Sequence, residues 1–266
     1  MLKQRIITAL ALLLFFLGAL YFLPAVPWMM LTLIVILIGA WEWAGIAGYS
    51  SNERWFYVAA TLVMALVLWV QGEIGRGSAF ALASLFWLLP AWLWLIFQWR
   101  LKSAFALALL GWLVLLPTWL ALGYLREIGP NLLLVILMVV WIADSAAYFT
   151  GRRFGKRKLA PAISPGKSWE GVWGALAAVT LFGAAVATLA LASWWLIAAF
   201  WVITALSIVG DLFESWMKRV AGIKDSGTIL PGHGGVLDRI DGLTSILPVA
   251  AMCMAYSCVD WGNLVK

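Results

Sequence analysis

Apolar residues run along this chain in long blocks, not in the alternating pattern of half-buried strands or the one-sided pattern of surface helices. A helix crossing the hydrocarbon core of a bilayer needs about 20 apolar residues. Blocks close to that length fall near 5–23, 27–47, 55–71, 79–97, 104–124, 131–150, 172–191, 195–213 and 243–260. The pattern predicts an all-α, polytopic integral membrane protein with about nine transmembrane helices. Pro248 lies inside the ninth, where neighbouring helices must satisfy the carbonyl it leaves free. The first block resembles a cleavable signal peptide, but it is long and no small-residue cleavage site precedes Pro24, so it reads as the first helix.

Composition excludes a water-soluble domain. Hydrophobic residues make up 65% of the 266 positions and charged residues 11%, against roughly half and about a quarter in soluble domains. Many of the 19 tryptophans sit near block ends, where amphipathic rings favour the membrane interface. With the N-terminus inside, the loops place all of the 18 Lys and Arg residues on one side except Arg76, Arg126 and Lys266. That asymmetry sets orientation: N-terminus and charged loops cytoplasmic, C-terminus outside, in the cell (inner) membrane. The net charge of +6 is then a property of the cytoplasmic face, suited to anionic headgroups or phosphates. Cys253 and Cys258 lie in the last block and read as packing residues.

The chain divides by chemistry. Residues 1–130 read as N-terminal scaffold helices with short, charge-poor loops. Within them Glu42, between Trp41 and Trp43, reads as an interfacial residue that snorkels to the headgroups. Residues 131–266 form the candidate catalytic region, with two cytoplasmic loops at about 151–171 and 214–242. Function-bearing loops commonly ride on a rigid scaffold.

Asp144 and Tyr148 are four apart near the end of the sixth block, on one helical face. An acid inside a span marks either a functional site or a structural pair with a neighbouring helix. Gly151-Arg-Arg-Phe-Gly-Lys-Arg-Lys158 and Ile163-Ser-Pro-Gly-Lys-Ser-Trp-Glu-Gly171 then form a glycine-bearing basic loop entering a helix N-terminus, an arrangement suited to phosphate. Gly166-Lys167-Ser168 resembles the end of a Walker A loop, but Pro161 stands where its first glycine belongs. Positive-inside bias explains Arg152, Arg153 and Lys156 to Lys158; it does not explain Ser164, Lys167 and Glu170. At the end of the eighth block Asp211, Ser215 and Lys218 fall at i, i+4 and i+7 and form one polar stripe. Lys224-Asp225-Ser226-Gly227 and Leu230-Pro-Gly-His-Gly-Gly235 lead to Asp238-Arg239-Ile240-Asp241, whose two carboxylates sit three apart on a helical turn. Carboxylates with open coordination suit Mg²⁺. His233, the single histidine, lacks partners for a zinc site; it reads as part of a loop wrapping a ligand, with a general-base role as the alternative.

These residues resemble the phosphatidate cytidylyltransferase (CDP-diacylglycerol synthase) family. The resemblance is carried by Ser215-x-x-Lys218-Arg219, Lys224-Asp225 and Leu230-Pro-x-His-Gly-Gly-x-x-Asp238-Arg239-x-Asp241. Asp144 to Tyr148, the Gly-Arg-x-x-Gly-Lys run and Ile163-Ser-Pro-x-Lys-x-x-Glu-Gly171 extend it. The chain departs from the family at Gly166-Lys167-Ser168, where a Lys-Lys-Thr type run is expected. The resemblance implies CTP and phosphatidic acid as substrates, CDP-diacylglycerol and pyrophosphate as products, Mg²⁺ as cofactor and a homodimer, with no nucleic-acid partner. It implies Asp211, Asp238 and Asp241 as ligands of the metal or metals. Asp225, Lys224 and Arg239 join them as catalytic candidates. Ser164, Lys167, Ser168, Glu170, Ser215, Lys218, Arg219, His233, Gly234, Gly235, Asp144 and Tyr148 are the substrate-binding candidates.

Two other classes compete. An anionic-solute transporter would suit intramembrane Asp144 and Asp211, yet carriers show repeated halves with broken helices, and here one half is bare and the other charged. The D-G-x-x-A-R signature of the CDP-alcohol phosphotransferases is absent from the sequence. A CTP-dependent lipid kinase is the nearest enzymatic rival.

Overall fold

The computed structural model describes residues 2–189, 193–229 and 234–256. In chain order the elements are α1 (Leu2–Phe22), α2 (Ala25–Ile46), α3 (Ser51–Val70), α4 (Gly72–Leu88), α5 (Pro90–Phe97), α6 (Ala104–Ile128), α7 (Pro130–Phe154), β1 (Lys158–Ala160), β2 (Ser164–Ser168), α8 (Trp169–Leu189), α9 (Trp195–Val220) and α10 (Leu237–Tyr256). Among the described residues each of the nine apolar blocks falls in helix. The fourth block is divided at Leu89 and Pro90, because proline bars the preceding residue from helical backbone and Leu89 sits at φ −135°. Among the described residues seven helical segments, with Gly72–Phe97 taken as one, are long and apolar enough to cross a membrane. α1 and α10 are helices at the first and ninth blocks but are not among these seven; of α1 only Leu13–Phe22 counts, as a shorter apolar helix.

Local chemistry places the ends. Ser50 and Glu53 form a capping box at the start of α3, and the Ser103 side chain accepts from the Ala106 N–H at 3.3 Å to start α6. Inside α10, Pro248 removes the N–H that would bond the Thr244 carbonyl; the Thr118 hydroxyl of α6 approaches that carbonyl at 3.4 Å. A neighbouring helix thus meets the cost, as the sequence requires.

α10 packs against α9, α6 and α4, with α2 behind it. The buried core runs through both halves of the chain, from Trp28, Trp43, Trp87 and Trp119 to Phe213, Leu237 and Leu247. Outward faces remain apolar: Phe56, Val70, Ile74, Trp173 and Leu181 are all exposed. Such a surface is stable against lipid and not against water. Cys253 is exposed on α10 and does not pack in the core as expected; Cys258 lies outside the described residues.

The charged loops are shorter than the sequence suggests. α7 continues to Phe154, α9 to Val220, and α10 begins at Leu237. Between α7 and α8 the chain forms a two-stranded antiparallel hairpin, pairing Lys158 with Ser168 and Ala160 with Ser164. This is a small β element in an otherwise helical fold.

Candidate active site

The site begins where two helices cross too closely for side chains. Gly210 of α9 faces the Asp241 carbonyl, and a Cβ there would stand 2.6 Å from that oxygen; a Cβ on Gly242 of α10 would stand 2.6 Å from Ser207 Oγ. The crossing brings Asp211 and Asp241 to one level. Asp241 accepts from the Gly242 N–H at 2.7 Å. Asp144 on α7 and Asp241 each interact electrostatically with Asp211 and with Lys167. The polar stripe on α9 is present: Ser215 Oγ donates to Asp211 Oδ1 at 3.2 Å.

The hairpin delivers the cation. β2 carries Lys167, whose ammonium lies 2.6 Å from Asp211 Oδ2. Ser168 is buried and accepts from the Gly171 N–H at 3.2 Å, capping α8. Glu170 accepts from the backbone N–H groups of Lys156 and Arg157 at 3.1 and 3.2 Å, so it pins the basic loop. α7 and α8 approach closely because Gly171 has no side chain: a Cβ would sit 2.9 Å from the Ala147 carbonyl. Arg152 donates to Tyr148 Oη at 3.0 Å. Tyr148, Arg152, Lys158, Ser164 and Lys167 line a cavity of 570 Å³. An apolar cavity of 480 Å³ lies against it between α5, the hairpin, α8 and α9, and the two share Leu159, Val172 and Ile208 as walls.

The other predicted residues separate into two groups. Lys218 is buried and ion-paired to Glu214 at 3.0 Å and to Asp238. Its charge, expected from the sequence to meet substrate, lies between two carboxylates inside the protein. Asp238 also accepts from the N–H groups of Ser226 at 3.1 Å and Gly235 at 2.8 Å. Gly234 adopts φ +81°, and a Cβ there would stand 2.8 Å from Asp238 Oδ2, so glycine is required on both counts. Arg219 donates to the carbonyls of Ile163 and Ile223. Lys224, Asp225 and Arg239 are exposed. His233 lies outside the described residues.

The expected trio of Asp211, Asp238 and Asp241 is therefore not one group, because Asp238 turns into its own loop and toward Lys218. Among the described residues no three acidic, His or Cys side chains gather into a metal-holding set. The chemistry nonetheless fits a divalent cation. Asp144 and Asp241 each meet the like charge of Asp211, and Glu214 Oε2 is buried without a hydrogen-bond partner. Mg²⁺ is commonly held by one or two carboxylates with water and substrate phosphates, which Asp211 and Asp241 can supply.

Sequence reasoning missed two acids. Glu214 was passed over within a charged stretch. Glu42 corrects the snorkelling expectation: it is 2% exposed and accepts from Ser226 Oγ at 2.9 Å, Val236 N at 3.0 Å and Leu237 N at 2.7 Å. Its signal was available, since an acid inside an apolar span implies a partner.

Residues 3–257 match the model of the cytidylyltransferase family. The phosphatidate cytidylyltransferase of Pseudomonas aeruginosa is 42% identical, covering 98% of this chain and 99% of that protein. That of Haemophilus influenzae is 35% identical over 93% of this chain and 96% of its own length. The Thermotoga maritima protein of the same name is 40% identical over 47% of this chain.

Proposed function

The chain belongs to the cytidylyltransferase family, and from that premise we propose that it is a phosphatidate cytidylyltransferase. In this reading an oxygen of the phosphatidate phosphate attacks the α-phosphorus of CTP. The new P–O bond forms as the bond to the β-phosphate oxygen breaks, giving CDP-diacylglycerol and releasing pyrophosphate. The observation that carries the reading is the pair of cavities with common walls. A cationic 570 Å³ space suits phosphates, and the apolar 480 Å³ space beside it suits acyl chains.

The residues divide the work. Arg152, Lys158 and Lys167 draw two polyanions into one place, and positioning of this kind supplies much of the rate of a bimolecular transfer. Lys167, held by Asp211, stands at the junction of hairpin and helix crossing and orients the attacked phosphate. Mg²⁺ is part of the proposal, with Asp211 and Asp241 as its protein ligands and Asp144 alongside; when bound it supplies positive charge opposite the triphosphate. A homodimer, an inner-membrane location and a cytoplasmic site belong to the same proposal, the last two resting on the Lys and Arg asymmetry.

Purified protein given CTP labelled at the α-phosphate, phosphatidate and Mg²⁺ should transfer the label to lipid and release unlabelled pyrophosphate. Labelled CDP as product would replace the reading with the lipid kinase. No dependence on phosphatidate would end it.

A further inference from the structure

Glu42 is the one acid of the N-terminal half that reaches into the candidate site's supports, and it does so without facing either cavity. It comes from α2, while its partners lie 184 to 195 residues later. One carboxylate oxygen takes the hydroxyl of Ser226 and the N–H of Leu237; the other takes the N–H of Val236. Val236 immediately precedes α10 and Leu237 opens it, so Glu42 satisfies helix-start donors that a local cap would otherwise serve. Donors to an ionised carboxylate make stronger, shorter bonds than neutral pairs.

The surroundings are shaped to this side chain. A Cβ on Gly235 would stand 2.5 Å from Glu42 Oε2, and Gly227 likewise has no room for one beside the same carboxylate. Leu237 and Ile240 also lie beside Gly39, a turn earlier on α2, at ordinary van der Waals distance from where its Cβ would stand. Both flanks of the segment thus converge on one buried group: Ser226, which follows Lys224 and Asp225, and Val236–Leu237, which precede Asp238 and Asp241. Ser226 also donates its N–H to Asp238, which ties the two flanks to each other.

We propose that Glu42 is a positioning residue for cytidylyl transfer. It fixes the rotation and height of the first turn of α10, and through that turn the place of Asp241 beside Asp211 and of Asp238 on Lys218. It touches no reacting atom. The inference rests on the reading of the α9–α10 crossing as the reaction centre, and its test has one arm that does not.

The test is Glu42→Gln, which keeps shape but sets an NH₂ group against backbone donors, with Glu42→Asp and Ser226→Ala beside it. Amide exchange of the Ser226 to Ile240 region needs no assumption about the reaction. It should quicken in Glu42→Gln by more than the accompanying fall in thermal midpoint in detergent accounts for. In the transfer assay kcat/KM for CTP should fall about 10- to 100-fold, the scale for losing a partner that orients a site residue. The Mg²⁺ concentration for half-maximal rate should rise. Glu42→Asp, which keeps the charge, should recover part of both, and Ser226→Ala should move them less in the same direction. Wild-type exchange in Glu42→Gln, or wild-type kcat/KM per folded molecule, overturns the proposal. If Glu42→Gln does not fold, Ser226→Ala decides: unchanged Mg²⁺ dependence and exchange overturn it. If the wild-type protein transfers no cytidylyl group, the functional reading fails, and the exchange arm alone decides whether Glu42 sets this turn.

Discussion

Lys167 and Asp211 share one ion pair at 2.6 Å, with side chains 24% and 35% exposed. Neither is buried enough to be structural alone, so both changes should act on chemistry more than on folding. Asp211→Asn is expected to lower kcat by about 10²- to 10³-fold, the scale for losing one preorganised electrostatic group at the reaction centre, with thermal stability nearly kept. Lys167→Ala separates two roles by steady-state kinetics: a raised KM alone marks uniform binding, a lowered kcat marks transition-state contact. Asp238 behaves differently. Asp238→Asn removes one of the two carboxylates on buried Lys218, which keeps Glu214, so it should lower the thermal midpoint by less than the about 3 to 5 kcal/mol that an unpaired buried charge costs, and a fall in its activity must be read per folded molecule. Spacing in the sequence located Asp211, Lys167 and the Asp238–Asp241 turn. It could not tell a carboxylate that faces a cavity from one that faces a buried lysine, because residues three apart on a first turn meet different neighbours.

At the scale of elements, apolar run length was enough to find every span, since lipid forces backbone hydrogen bonds to close within each helix. The hairpin was not legible. Ser164-Pro-Gly-Lys-Ser168 holds a proline and a glycine and no β-branched residue, the reverse of strand composition. Its order comes from outside, from Glu170 holding the loop backbone and Ser168 capping α8. The α7–α8 approach depends on Gly171, whose missing Cβ leaves room for the Ala147 carbonyl. Gly171→Ala should therefore destabilise the protein by about 1 to 3 kcal/mol, the usual cost of overpacking, as a lower thermal midpoint. The same change should weaken phosphatidate use by tilting the wall common to both cavities.

For the whole molecule, the division into scaffold and catalytic region describes charge and not folding. Glu42, Trp87 and Thr118 from the first half all meet α9, α10 or the loop between them, contacts that no local pattern in a sequence can announce. Orientation is testable directly: with Cys253 and Cys258 removed, single cysteines at Gly166 and Thr228 should resist an impermeant thiol reagent in intact cells and react once the membrane is opened. Thr228 is the better probe than Gly227, where a side chain would strike Glu42. The apolar cavity has its rim at Trp92, Ile96 and Trp169, all exposed on the outer face of the bundle. A diacyl substrate that enters there arrives sideways from the surrounding leaflet and never crosses water, so its effective concentration is a number per unit of membrane area. Diluting phosphatidate with inert detergent at constant bulk concentration should then slow turnover in proportion to its mole fraction in the micelle, while CTP continues to obey ordinary volume concentration.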